Sequence, residues 1–137
     1  MIITDENILR QVSIQISLES GLESIWRSLN AELNTTSGVG LSAIQINLPL
    51  RACIIKYDKV YRELYNARIV KRSKETIVFK EGCLSIPDVF ENTRRNRHIT
   101  VRNGDNKLYK FSDTLAIIVQ HELDHWEGIL FTDRGVR

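Results

Sequence analysis

Asp113-Thr-Leu-Ala-Ile-Ile-Val-Gln-His-Glu-Leu-Asp-His-Trp-Glu-Gly128 is the stretch from which the fold is read. Each helical residue advances about 100°, so Leu115, Val119, Leu123 and Trp126, with Leu130 beyond them, line up as one apolar stripe. His121, Glu122 and His125 fall on the neighbouring arc, with Ile117 and Ile118 one turn below. Only a narrow strip of Ala116, Gln120, Asp124 and Glu127 is left for other contacts. A helix clothed on so much of its circumference belongs inside the domain. Ser112 or Asp113 is its expected cap, and Gly128 is placed to terminate it.

The same stretch carries chemistry. His121-Glu122-Leu123-Asp124-His125 is an H-E-x-x-H pattern. Histidines four apart project from one helix face and suit a single metal ion, while the adjacent glutamate can take a proton from water held there. Burying two imidazoles and a carboxylate is costly unless they are satisfied, and a metal satisfies them. A catalytic site of this kind takes three protein ligands and keeps one position open. Only twelve residues follow His125. Among them Glu127 points about 140° away round the helix, and Asp133 lies beyond its end. The third ligand is therefore sought upstream, at Cys83 or His98. Cys83 is favoured, because thiolate binds metals strongly and Gly82 and Pro87 frame its segment. His98 starts a strand and reads as a surface histidine.

Working outward, Asn103-Gly104-Asp105-Asn106 between Ile99–Val101 and Leu108–Phe111 predicts a β-hairpin leading into the metal helix. Further strands are expected at Arg51–Tyr57, Glu63–Tyr65, Arg68–Val70 and Thr76–Phe79, with Cys53 a small core residue. Lys71–Lys74 and Arg94–Arg97 read as exposed charged connections. Ser20 and Glu23 form a capping-box pattern opening an earlier helix, whose inner face is Leu22, Ile25, Trp26, Leu29 and Leu33. Residues 1–18 read as an irregular arm. Gly38-Val-Gly-Leu-Ser-Ala-Ile-Gln45 is a tight turn into a buried segment, with one amide, Gln45, in an apolar run.

Composition narrows the classes. The chain has 137 residues, enough for one domain (1–137) with a real core, and 42% of them are apolar. A net charge of +2 gives no ground for DNA binding or an anionic membrane. No apolar run is long enough to span a membrane. The first residues show no basic segment followed by an apolar run, so a cytoplasmic protein with reduced thiols is expected.

Three boxes in order, Gly38–Gln45 (G-x-G-x-A-A-x-Q), Glu81-Gly-Cys-Leu-Ser85 (E-G-C-L-S) and His121–His125 (H-E-x-D-H), resemble the peptide deformylases, and the likeness covers nearly the whole chain. It departs at Ser42, where alanine is common, after Asn66, which lacks the usual proline, and at Asp88, where glycine is common. The resemblance implies an α+β fold, antiparallel β-sheets around a central helix bearing the metal motif. It implies one divalent metal on Cys83, His121 and His125, Fe(II) in the cell, with zinc, nickel or cobalt able to replace it in a preparation. Glu122 would be the general base and acid, and the Gln45 amide and Leu84 N–H would serve the oxyanion. Val39, Gly40 and Gly82 would pair with an extended peptide, and Val39, Ile117 and Ile118 would line a methionine pocket. The expected substrate is the N-formyl-methionine end of nascent chains in a bacterial cytoplasm, with a phage-encoded origin open. A monomer is expected, with ribosome contact at most weak and limited to Arg134 and Arg137.

Overall fold

A computed structural model describes residues 1–17 and 19–136. Leu18, in the N-terminal arm, and Arg137 lie outside the described residues. Among the described residues three α-helices, α1 (Glu6–Leu9), α2 (Leu22–Leu33) and α3 (Thr114–Trp126), accompany eight strands. The strands are β1 (Gly40–Ser42), β2 (Ala52–Tyr57), β3 (Val60–Tyr65), β4 (Arg68–Arg72), β5 (Thr76–Cys83), β6 (Ile86–Asn96), β7 (His98–Arg102) and β8 (Leu108–Ser112). They pair antiparallel in three sheets, ordered β1-β2-β3, β4-β7-β8 and β5-β6. The class is α+β, and the hairpin expected before the last helix is β7-β8. None of the described helices is long and apolar enough to cross a membrane.

The first sheet is the wall between two helices. Ala52 to Ile55 of β2 are all fully buried, because alternate side chains enter different cores. Cys53 and Ile55 pack with Val119, Leu123 and Trp126 of α3, together with Ile99, Val101 and Phe111 from the second sheet. Ala52 and Ile54 pack with Ile25, Trp26, Leu29 and Leu33 of α2. A strand buried on both faces reads as a continuous apolar run, as Ala52–Ile55 does. Ten residues of α3 are buried. The helix is interior on nearly every side, as its residue pattern requires.

Helix ends differ in detail from the local signals. Ser20 sits in a 3₁₀ turn, Glu19–Gly21, and α2 is capped by Gly21 with no side-chain hydrogen bond. The approach is already helical (Gly21 φ −88°, ψ −6°), whereas a capping side chain needs extended backbone at its own residue. Asp113 occupies the cap position of α3 but does not cap with its side chain. It accepts from Arg97 Nε at 2.8 Å instead. The other end follows expectation: Gly128 has φ +72°, and a Cβ there would lie 2.4 Å from the Arg10 carbonyl oxygen. The irregular arm contains the one-turn α1, with Leu9 buried.

Arg94–Arg97 is not an exposed connection. Its first three residues end the 11-residue β6, Arg97 alone links that strand to β7, and Arg95 is buried. Glu91, Thr93 and Arg95 share a strand face by the two-residue repeat, and Glu91 stands opposite Glu81. Glu81 accepts from the Arg95 Nε at 2.6 Å and Nη2 at 3.0 Å, and from the Thr93 hydroxyl. That pairing is what lets an arginine lie in the interior.

Candidate metal centre and active site

Three segments meet over the middle of α3. The helix presents His121, Glu122 and His125, the end of β5 presents Cys83, and β1 with the 3₁₀ turn Ala43–Ile46 presents Gly40, Ser42 and Gln45. The donor atoms of Cys83, His121 and His125 lie within 4.8 Å of one another, close enough to share one ion. Cys83 Sγ is 3.6 Å from His125 Nε2. His98 is elsewhere: it is exposed, with Nδ1 2.8 Å from Ser112 Oγ.

The partners of His121 fix its orientation. Its Nδ1 lies 2.9 Å from Glu81 Oε1. Burial works to raise the Glu81 pKa, but His121, Arg95 and Thr93 outweigh it and hold the carboxyl down at about 2. Glu81 is therefore an acceptor at neutral pH, Nδ1–H donates to it, and Nε2 is left for an ion. A carboxylate that orients a ligating imidazole in this way also raises its basicity. Arg95 Nη1 in turn donates to Asp124 at 2.7 Å, and Asp124 accepts from Arg134 Nε and Nη2, both at 3.1 Å. Arg134, one of the two residues to which weak ribosome contact was assigned, is paired with Asp124 here.

The cluster attracts positive charge. Burial would lower the His121 pKa, yet Cys83 and Glu81, with Glu122 beside them, lift it to about 10. Burial, helped by His121 and Arg95, holds His125 well below the usual imidazole value, so it is neutral. A neutral imidazole, an imidazole backed by a carboxylate and a thiol form a donor set suited to Fe(II) or zinc. The residues present fit a divalent metal.

Glu122 is held beside this triangle. The Ser42 hydroxyl lies 3.1 Å from its Oε1 and 2.9 Å from its backbone carbonyl oxygen. A Cβ at Gly40 would come within 2.7 Å of Oε2, so the backbone can pass this close only as glycine. Burial raises the Glu122 pKa against the opposing pull of His121 and Ser42. Gln45 is buried, and its Oε1 accepts from Ser42 N at 2.9 Å. That bond turns its NH₂ group toward Ser85 Oγ at 3.1 Å and Cys83 Sγ at 3.6 Å. Leu84 lies in the two-residue turn between Cys83 and Ile86.

A cleft of about 370 Å³ opens over these groups and is bordered by Val39, Gly40, Gly82, Leu84, Ile117 and Ile118 among others. The structure thus brings together every residue that the resemblance assigns to this site, and leaves out only the alternative ligand His98. Sequence reading missed the Glu81–Arg95 support, because an arginine in a charged run carries no local sign of burial. It also missed the Ser42 hydroxyl, noting only that Ser42 stands where alanine is common. A carboxylate two positions before Cys83 was the available signal for the first.

An interior H-E-x-x-H helix with a cysteine donor from a neighbouring strand defines a metal-dependent hydrolase. The family model described as "Polypeptide deformylase" matches residues 1–137. The chain belongs to the polypeptide deformylase family. It is 36% identical to a peptide deformylase of Helicobacter pylori strain Shi470, over 93% of this chain and 79% of that one. A Rhizobium meliloti relative is 34% identical, over 97% and 82%. Among solved structures, a class I type b peptide deformylase from Acinetobacter baumannii superposes with a TM-score of 0.92 at 29% identity, over 97% of both chains. A probable peptide deformylase from Synechococcus phage S-SSM7 superposes with a TM-score of 0.88 at 31% identity, over 98% of both.

Proposed function

We propose that the Cys83–His121–His125 triangle, with Glu122 beside it, is where this family member hydrolyses the N-formyl group from the formyl-methionine end of nascent peptides. The observation that carries the reading is the convergence of three soft or borderline donors within 4.8 Å, next to a buried carboxylate. In the overall reaction the formyl C–N bond breaks, a C–O bond forms with water, and formate and a free amino terminus leave. A divalent cation held by the three donors supplies positive charge that acidifies water and polarises the formyl carbonyl.

Glu122 takes the proton released by the attacking water and delivers it to the leaving amine. Its raised pKa suits a group that must both accept and donate. Oxygen charge that develops on the formyl group is met by the Gln45 NH₂ and the Leu84 N–H, donors fixed before substrate arrives. The Ser42 N to Gln45 Oε1 bond supports that assignment, since it orients the amide with its donors toward Cys83. Backbone groups of Val39, Gly40 and Gly82 at the cleft edge suit an extended peptide added as a strand. Val39, Ile117 and Ile118 give the methionine side chain an apolar wall. Fe(II) is the metal proposed for the cell, and zinc, nickel or cobalt for preparations in air; the donor set accepts all of them.

The test is formate release from formyl-Met-Ala-Ser by protein prepared anaerobically with Fe(II). Turnover that disappears on chelation and returns with Fe(II) is expected. A metal-replete sample releasing no formate would refute the reading.

A further inference from the structure

The hairpin that carries Cys83 is irregular where it borders the cleft. Glu81 pairs with Glu91 and Cys83 with Ile86, so Gly82 alone stands opposite Pro87, Asp88, Val89 and Phe90. The extra chain makes a bulge within β6, and all four residues are exposed. Asp88 turns the bulge at φ +65°, a conformation that glycine adopts freely and other residues resist. Phe90 then folds back over Gly82, where a Cβ would meet its ring at 2.8 Å. Asp88, Val89, Phe90 and, from β5, Phe79 all border the cleft.

Charge at this rim has one sign. Among the described residues, no lysine or arginine borders the cleft. Its other carboxylates are engaged: Glu81 is held by Arg95 and His121, and Glu122 lies buried at the centre. Asp88 is exposed and, among the described residues, has no ion-pair partner. The aromatic rings beside it already attract cations: Lys80 Nζ sits 5.7 Å over the Phe90 ring from outside the cleft.

We propose that Asp88, with Phe79 and Phe90, forms a specificity-determining subsite for a lysine or arginine at one of the two positions after formyl-methionine. This rests on the deformylase reading above. A long basic side chain can lay its aliphatic stem on the rings and bring its charge to the Asp88 carboxylate and the ring faces together. An acidic side chain at the same place meets the like charge of Asp88, while the Lys80 ammonium lies over the Phe90 ring from outside the cleft.

The experiment compares kcat/KM for formate release from formyl-Met-Lys-Ser and formyl-Met-Ala-Lys with their glutamate counterparts. The wild type, Asp88→Asn and Asp88→Gly are assayed at low and high salt, with formyl-Met-Ala-Ser as reference. A lysine peptide is expected to exceed its glutamate counterpart by about five-fold at low salt in the wild type, the range of an exposed ion pair. Salt and either variant should bring that ratio within about two-fold, leaving the reference peptide unchanged. Asp88→Gly suits the positive φ, so loss of folding does not confuse the result. Equal rates on lysine and glutamate peptides in the wild type, or a preference that survives both variants, would overturn the subsite alone. Formate from none of the peptides would overturn the deformylase reading, and the subsite with it.

Discussion

Gly40 and Ser42 determine where the Glu122 carboxylate sits, one by leaving room beside Oε2 and the other by bonding Oε1. The site therefore rests on single residues whose identity has an atomic reason. Glu122→Gln retains the shape against Gly40 and the bond from Ser42, and removes only the capacity to carry a proton. Turnover is expected to fall about 10²- to 10⁴-fold, the range for loss of a positioned general base, with metal content unchanged. Metal analysis and formate release on one sample check this; a metal-replete variant working near the wild-type rate would remove Glu122 from the chemistry. At this scale the sequence was informative because the spacing of His121, Glu122 and His125 has meaning on any helix. Ser42 was not legible, since whether its hydroxyl finds Glu122 depends on how β1 packs on α3.

Elements were legible where one pattern decided them. The apolar stripe of α3, the turn before Leu108 and the run Ala52–Ile55 each specify an element without help from distant residues. Arg95 shows the limit. Its burial depends on β5 presenting Glu81 across the sheet and α3 presenting Asp124 from below, so it is a property of three elements at once. Arg95→Leu leaves two interior carboxylates short of a partner and should destabilise the metal-free protein by about 3–5 kcal/mol. Glu81 would also lose its anchor, and metal affinity should fall about 10- to 100-fold through a less firmly oriented His121. Denaturant unfolding of the apo protein and competition with a chelator measure the two effects. Unchanged stability would mean that the Glu81–Arg95–Asp124 chain contributes nothing net. The helix starts were legible only in part: Gly21 rather than Ser20 caps α2, because the backbone there is already helical, while Asp113 does hold the cap position of α3 but gives its carboxylate to Arg97.

Across the whole molecule, the sheet β1-β2-β3 separates two apolar cores, and its far edge and the β5-β6 hairpin bring the glycine box and Cys83 onto α3. Residues 38–45, 81–85 and 121–125 are distant in sequence yet share one cleft, which is why three short boxes sufficed to suggest the family. What they could not give was the course of the chain between them, including the four-residue bulge at Asp88. The central claim is that this convergence holds a metal through one sulfur and two nitrogens. X-ray absorption at the metal edge of the anaerobic Fe(II) protein tests it most directly. One sulfur scatterer and two imidazoles are expected, with the sulfur at about 2.3 Å as for metal thiolates generally, and the sulfur signal should vanish in Cys83→Ser. A first shell of nitrogen and oxygen alone in the wild type would contradict the account.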